Sequence, residues 1–546
     1  MTLCQTQPSA DPNWWQGAAI YQIYPRSFAD ANNDGIGDIA GITAHLDHIA
    51  SLNVDAIWLS PFFTSPMADF GYDVADYRDV DPMFGTLGDF KTLLDSAHAR
   101  GLRVLIDQVL SHSSDAHAWF AESRADRTNA KADWYVWADP APDGGPPNNW
   151  MAAFGGVAWT FDARRTQYYL HNFLPEQPDL NFHNPDVQQA QLDNLAFWLD
   201  LGVDGFRFDV VNFYFHNATL ADNPPREREH VNPGHPQSYQ WQRHNTNQPE
   251  NLAYLERIRA LMDQYPGAMA VGEIGGDDEL ATMADYTRGR QRLHMAYTFD
   301  LLGDTGNAAH IRATLADFAA LGEDTWPCWA LSNHDVVRSA SKWGADRALL
   351  GLGVLASLRG NICIYQGEEL GLPEAELRYE ELQDPFGINL WPLVKGRDGC
   401  RTPMPWDNAP QAGFCGDDVT PWLPIGQGHR ERAVVEQDKT ADSFLSQVRE
   451  LLAQRRAHAA LTTGRQEIIA DAHPDLLVLR RETADQSLLC VAHLGTSDTV
   501  TRRLQALAPE AVSAEPIALS GLGQAELVDD TLTLAPGSLA WFTLHD

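Results

Sequence analysis

The chain has 546 residues, of which 44% are hydrophobic and 17 are tryptophan, enough for a large core spread over more than one domain. Acidic residues outnumber basic ones 74 to 39, and the net charge of −35 excludes nucleic acid and anionic membrane surfaces, which would repel it. The acidity reads as a solvating surface. Six cysteines (Cys4, Cys328, Cys363, Cys400, Cys415, Cys490) are scattered without a CxxC pair, the pattern of reduced thiols rather than of a disulfide framework or zinc site. Met1–Trp15 holds neither Lys nor Arg and no apolar stretch, and no run of about 18 apolar residues occurs anywhere. The expectation is a cytoplasmic protein with no membrane span, working as a monomer or homodimer.

In chain order, short apolar runs predict strands at Ala18–Tyr24, Val54–Leu59, Leu102–Asp107, Val203–Asp209, Ala268–Glu273, Leu293–Phe299, Pro327–Asn333 and Asn361–Gln366. Continuous rather than alternating apolarity is what a parallel sheet covered on both faces requires. Helical spacing lies between them at Leu87–Ala99, Asp186–Leu201, Leu252–Gln264 and His310–Leu321, and a last helix is expected at Ser443–His458. Eight strand–helix units point to an α/β chain closed as a (β/α)8 barrel rather than an open sheet. Nearly eighty residues rich in Trp, Asn, Pro and Gly separate the third strand from the helix at Asp186, too many for a plain loop. The predicted organisation is a barrel over 1–111 and 183–463, an inserted domain over 112–182, and an all-β sandwich over 464–546. Strand-like runs at Leu476–Arg480, Ser487–Ala492 and Ser538–Leu544 support the last of these.

Three carboxylates end three of the predicted strands: Asp209 in Gly-Phe-Arg-Phe-Asp, Glu273 in Val-Gly-Glu, and Asp335 in Ser-Asn-His-Asp. In a barrel of this kind, active sites sit at the C-terminal strand ends. One acid there is most often a turn or cap residue, whereas three, with Arg207 and His334 beside two of them, read as a site. Side chains alternate along a strand, so Arg207 shares a face with Asp209 and is expected to hold its pKa down. Glu273, behind an apolar strand, suits a raised pKa and a proton available near neutral pH. Three carboxylates delivered by three strand ends to one rim look like a sugar-bond-cleaving site.

These motifs, with Asp107-Gln108-Val109-Leu110-Ser111-His112 and Gln177-Pro178-Asp179-Leu180-Asn181, occur in the order found in glycoside hydrolase family 13, the α-amylase family. The fifth resembles the signature of its α-glucosidase and oligo-1,6-glucosidase branch. The resemblance implies that Asp209 is the nucleophile, Glu273 the general acid/base and Asp335 the stabiliser of the distorted sugar. It further implies that Asp69 binds the terminal glucose and Tyr72 stacks on its face. His112 and His334 would take its hydroxyls, and Phe154 and Phe173 would line the pocket. Arg401, in Gly-Cys-Arg-Thr-Pro-Met-Pro-Trp, is expected to pair with Asp69 and close the non-reducing end. Ser111 stands where many members carry Asn.

The loop Asp30-Ala-Asn-Asn-Asp-Gly-Ile-Gly-Asp38 places oxygens at alternating positions around a glycine turn, a ligand set that hard cations prefer. Gly41 occupies the place of an EF-hand's closing Glu, so it is no EF-hand. The resemblance implies a structural Ca²⁺, with Mg²⁺ as the alternative, on Asp30, Asn32, Asp34, Asp38 and the Ile36 carbonyl. No organic cofactor is implied.

The expected activity is that of an exo-acting retaining α-glucosidase on small oligosaccharides or other α-glucosides such as maltose, isomaltose or sucrose. Transfer to alcohol or sugar acceptors is its side reaction, with Asn212–Asn251 bordering the acceptor region. Val210, directly after the nucleophile, accompanies α-1,6 activity in this branch, so oligo-1,6-glucosidase stays open as the alternative. Sucrose isomerase is disfavoured by the absence of an Arg-Leu-Asp-Arg loop. A non-catalytic sugar-binding homologue would lack the acids, and a polysaccharide-cleaving amylase would need an open cleft.

Overall fold

The computed structural model describes residues 11–303, 306–471 and 473–545; Cys4 lies outside them. Eight parallel strands form the central sheet: β1 (Ala19–Ile23), β2 (Ala56–Leu59), β3 (Arg103–Gln108), β4 (Gly205–Phe208), β5 (Met269–Glu273), β6 (Met295–Tyr297), β7 (Cys328–Ala330) and β8 (Asn361–Tyr365). Their spatial order runs from β6 back to β1 and then through β8 to β7. A parallel bridge between Ala296 and Pro327 joins the two free edges, so the sheet closes into the expected barrel. All eight are buried on both faces, which is why their sequences do not alternate.

Alternate residues of these strands point inward and fill the barrel with Ile20, Trp58, Leu105, Val271, Tyr297 and their neighbours. The other face packs on the surrounding helices in one continuous core. The helix Pro185–Leu201 shows how local chemistry sets such boundaries. Asn184 caps it by accepting from the Asp186 amide, Pro185 opens its first turn, and Gly202 ends it at φ +106°. At Gly205 the constraint is space, since a Cβ would stand 2.1 Å from the Met269 carbonyl oxygen on β5.

Between β3 and β4, strands Trp137–Ala138, Trp159–Asp162 and Gln167–Leu170 make a small antiparallel sheet around Trp150 and Trp159. After the barrel, a five-stranded and a three-stranded antiparallel sheet enclose a separate apolar core that includes Val478, Val491, Leu532 and Phe542. Among the described residues, no helix is long and apolar enough to cross a membrane.

Candidate active site

The inward alternation that fills the barrel also builds the site. Asp107 on β3 stands opposite Arg207 on β4, and Glu273 on β5 stands opposite Tyr297 on β6. Arg207 is completely buried and gathers these groups. Its Nη1 donates to both oxygens of Asp107 (2.8 and 2.9 Å) and to Asp209 Oδ1 (2.7 Å). Nη2 lies 2.5 Å from Glu273 Oε2, and the guanidinium sits 5.0 Å over the Trp58 ring. The Tyr297 hydroxyl receives Arg207 Nη2 at 2.8 Å and donates to Glu273 Oε1 at 3.1 Å.

Burial pushes both Asp209 and Glu273 up to about 7, and Arg207 opposes the rise in each. For Glu273 this is the expected direction. For Asp209 it corrects the expectation that Arg207 would hold the pKa down: desolvation outweighs one guanidinium shared among three carboxylates. Near neutral pH the two acids therefore hold about one proton between them and titrate as a unit.

Asp335 differs. Burial alone would raise it, but His334, Arg397 and Arg401 outweigh burial and hold it below the usual carboxylate range. His334 is itself pushed down by burial, with Asp335 opposing that shift. Its Nδ1 accepts from the Gln22 amide at 2.7 Å, which leaves the Nε2 hydrogen facing Tyr72 Oη (2.6 Å) and Asp335 Oδ2 (3.2 Å).

One expected contact is replaced. Asp69 pairs with Arg397, at 2.8 Å, and not with Arg401. Arg397 also donates to Asp384 (2.8 Å) and to Asp335 Oδ1 (3.1 Å), and it lies 4.9 Å over the Phe154 ring. Arg401, four residues on, is turned beneath the site, where it donates to the His334 carbonyl (2.7 Å) and Asp335 Oδ1 (2.9 Å). The sequence signal available for Arg397 was the neighbouring Gly-Arg-Asp. Which of two arginines in one loop reaches Asp69 depends on how that loop folds.

Asp69, Tyr72, His112, Phe154, Phe173, Asp209, Val210, Glu273 and Asp335 all line one pocket of about 600 Å³, whereas Arg207, His334 and Arg401 sit behind its wall. That volume is ordinary for a small-molecule site. The Gln177–Asn181 motif contributes Gln177 to the lining and Asp179 to the support behind it. Gln177 Nε2 donates to Asp69 Oδ2 (3.2 Å) and touches His112 Nε2 (3.2 Å). Asp179 accepts from the Asn172 backbone (2.6 Å) and side chain (3.1 Å), fixing the strand end that carries Phe173. Ser111 Oγ, at 2.9 Å from His112 Nδ1, orients that ring. Gln177 itself lines the pocket, whereas Asp107 and Tyr297 act through Arg207 and Glu273 on neighbouring strands, and the sequence motifs show none of these three partnerships.

The pocket mouth is bordered by the segment after β4, with Arg226, His230, Asn232 and His235 among its lining. That segment is fastened to the loop after Glu273 by ion pairs from Arg226 to Asp277 and from Arg243 to Asp278 (2.8 Å). The Asp30–Asp38 loop lies apart from the pocket. Its carboxylates accept from loop amides, Asp30 from Asn33 (2.6 Å) and Gly35 (2.8 Å), Asp38 from Ala31 (3.0 Å) and Gly41 (2.6 Å).

A family model for the α-amylase catalytic domain matches residues 22–464. The chain belongs to the α-amylase family. This family member is 52% identical to a probable α-glucosidase of Rhizobium meliloti (strain 1021), over 93% of this chain and 95% of that one. It is 38% identical to an oligo-1,6-glucosidase of Heyndrickxia coagulans, over 88% and 92% of the two chains. Among solved structures, the α-glucosyl transfer enzyme XgtA superposes with a TM-score of 0.93 at 54% identity, covering 97% of this chain and 99% of that one. A trehalulose synthase, MutB, gives 0.88 at 32% identity over 97% and 100%.

Proposed function

We propose that the protein is an exo-acting, retaining α-glucosidase that releases α-glucose from the non-reducing end of short α-glucosides and also transfers it to other hydroxyls. The observation that carries this reading is the ion network Asp69–Arg397–Asp335. It places two carboxylates and a guanidinium in the wall of the same pocket that holds Asp209 and Glu273. Hydroxyl-binding groups packed that closely suit one terminal sugar ring rather than a chain passing through.

In the first step Asp209 attacks the anomeric carbon while Glu273 protonates the leaving oxygen, giving a covalent glucosyl-enzyme. In the second, Glu273 takes a proton from water or another hydroxyl, which displaces Asp209 and restores the α configuration. The pair needs one proton between its members, and burial sets both near 7. Asp335 stays ionised and answers the positive charge that develops on the ring. Arg397 keeps Asp69 and Asp335 in fixed relation, and Tyr72 and Phe173 offer apolar faces to the sugar's C–H groups. Polar side chains at the mouth, from Arg226 to His235, favour an alcohol or sugar acceptor.

Val210 favours a second reading, oligo-1,6-glucosidase, because its methyl groups stand beside the nucleophile in the pocket. Proton NMR of the anomeric signals during incubation with equal maltose and isomaltose tests both readings. Early α-glucose is expected, and the sugar consumed faster assigns the linkage. Early β-glucose, or no consumption of either sugar, overturns the proposal.

A hard cation, Ca²⁺ or Mg²⁺, is proposed on Asp30, Asn32, Asp34, Asp38 and the Ile36 carbonyl. All five donors are oxygens, and the amide bonds to Asp30 and Asp38 leave further lone pairs on those carboxylates. The cation would hold the loop and supply no chemistry to the reaction. The five described cysteines are all free, which supports a reducing compartment such as the cytoplasm.

A further inference from the structure

In the C-terminal β domain, far along the chain from every catalytic residue, three donors converge. The loop entering strand Leu476–Glu482 carries His473 and Asp475, and the neighbouring antiparallel strand Ser487–His493 ends in His493. Leu476 pairs with His493 in register, which brings the loop alongside that ring. One ligand atom from each of His473, Asp475 and His493 lies within 4.8 Å of the other two, a grouping found at no other set of His, Cys, Asp or Glu among the described residues. The two imidazoles stand perpendicular, centroids 5.5 Å apart, rather than stacked.

His493 is the decisive member. It is 1% exposed, and its Nδ1 lies 3.1 Å from the Ala535 carbonyl, which accepts the proton there. The proton on Nδ1 leaves a lone pair on Nε2, and this buried atom has no hydrogen-bond partner. A carbonyl behind one nitrogen and an open lone pair on the other is how a metal-binding histidine is held. An orphaned buried polar atom otherwise calls for an explanation.

The space beside that lone pair is kept open. A Cβ on Gly495 would come within 2.6 Å of Asp475 Oδ2 and 2.8 Å of His493 Nε2. No left-handed φ demands glycine at this position, so its service is the gap between the two donors. Among the described residues nothing pairs with the Asp475 carboxylate, and His473 Nδ1 has only a long 3.3 Å bond from the Asp475 amide, which a Lewis acid can displace.

We propose that His473, Asp475 and His493 form a structural transition-metal site of the Zn²⁺ class. Two imidazoles and one carboxylate suit Zn²⁺ or Co²⁺, whereas the nitrogens disfavour Ca²⁺ and the absence of sulfur disfavours Cu⁺. The half-buried His473 and Asp475 leave the fourth position to water. The same loop is where the barrel grips this domain. Arg312, on the helix Ala308–Ala320, donates to the Pro474 carbonyl (2.9 Å) and to that of Leu476, and Arg347 donates to the Leu494 carbonyl (2.6 Å). A metal would therefore stiffen the join between barrel and β domain without touching the sugar pocket.

The test is titration of chelator-treated full-length protein with Co²⁺ in excess Ca²⁺, added to fill the all-oxygen site proposed at Asp30–Asp38. One equivalent of Co²⁺ should give the strong visible bands of a four-coordinate nitrogen–oxygen site, Zn²⁺ should displace it, and Zn²⁺ should raise Tm. His473→Ala and Asp475→Asn change half-buried positions and keep the strand intact. Each should weaken binding by more than the roughly 10–100-fold that losing a ligand's hydrogen-bond partner costs, and abolish the Zn²⁺ effect on Tm. His493→Gln, which removes the orphaned nitrogen, should do the same. Absence of binding by the wild-type protein, or unchanged Co²⁺ spectra and affinity in both His473→Ala and Asp475→Asn, would overturn the proposal.

Discussion

The backbone amide of Val210 donates to Glu273 Oε2 at 3.1 Å, so the residue that follows the candidate nucleophile holds the candidate acid. Val210 does this at φ +34°, ψ 52°, a left-handed conformation that costs a β-branched residue roughly 1–3 kcal/mol. The strain sits at the one turn where Asp209 leaves the barrel, and the hydrogen bond couples the two acids through the chain itself. Val210→Thr keeps the β-branched shape and should leave Tm unchanged. Its ratio of maltose to isomaltose kcat/KM should rise by about tenfold or less, since one hydroxyl-for-methyl exchange discriminates weakly. An unchanged ratio would remove Val210 from linkage choice.

Glu273→Gln should lower kcat on maltose by roughly 10²–10⁴-fold. On a nitrophenyl α-glucoside, whose leaving group needs no proton, formation of the glucosyl-enzyme should be largely spared, and a burst of nitrophenol should precede slow turnover. Asp209→Asn should show neither burst nor turnover while still binding glucose. Near-normal turnover in Asp209→Asn would sink the nucleophile assignment.

Arg397 and Arg401 should separate in kinetics. Arg397→Ala leaves Asp69 and Asp384 as buried unpaired anions, a loss of about 3–5 kcal/mol that would show as a large fall in Tm. Adding Asp69→Asn should recover part of that fall, because the two residues share one interaction. Arg401→Lys keeps Asp69 paired and should act mainly on kcat through Asp335. If Arg401→Lys raised KM more than Arg397→Lys, the assignment of Arg397 to the terminal sugar would be wrong.

Activity should follow a bell-shaped pH curve centred near neutrality. Above the range of the pair, the shared proton is lost and the leaving group is unassisted; below it, both carboxyls are protonated and there is no nucleophile. Stability carries the opposite sign from an ordinary paired carboxylate. Asp209 and Glu273 are raised from 3.8 and 4.5 to about 7, so the folded state holds their protons more tightly than the unfolded chain. Their contribution is complete below the unfolded values and is lost as pH rises through about 7. Asp209→Asn should therefore gain Tm over wild type at pH 8 more than at pH 5, as calorimetry at the two values would register.

Chelation should lower Tm with little change in kcat measured well below it, and Ca²⁺ should restore Tm. Asp34→Ala, at an exposed position of the loop, should lose that response. A chelator-insensitive Tm would argue against a cation at Asp30–Asp38.

Much was legible in the chain because it is encoded locally. Apolar runs about the length of a strand, with helical spacing between them, determine eight βα units. A motif such as Gly-Phe-Arg-Phe-Asp carries its own geometry, since alternation along one strand places Arg207 inward and Asp209 at the rim. What only the tertiary structure decided are relations between residues distant in sequence. Asp69 meets Arg397 across 328 positions, and the identity of that partner depends on a loop fold that no local preference dictates. The upward shift of Asp209 is likewise non-local, because desolvation sums over everything packed around a group whereas sequence shows only its neighbours. The convergence of His473 and Asp475 with His493 arises the same way, from a strand register that brings together side chains which, read along the chain, are three unrelated polar residues.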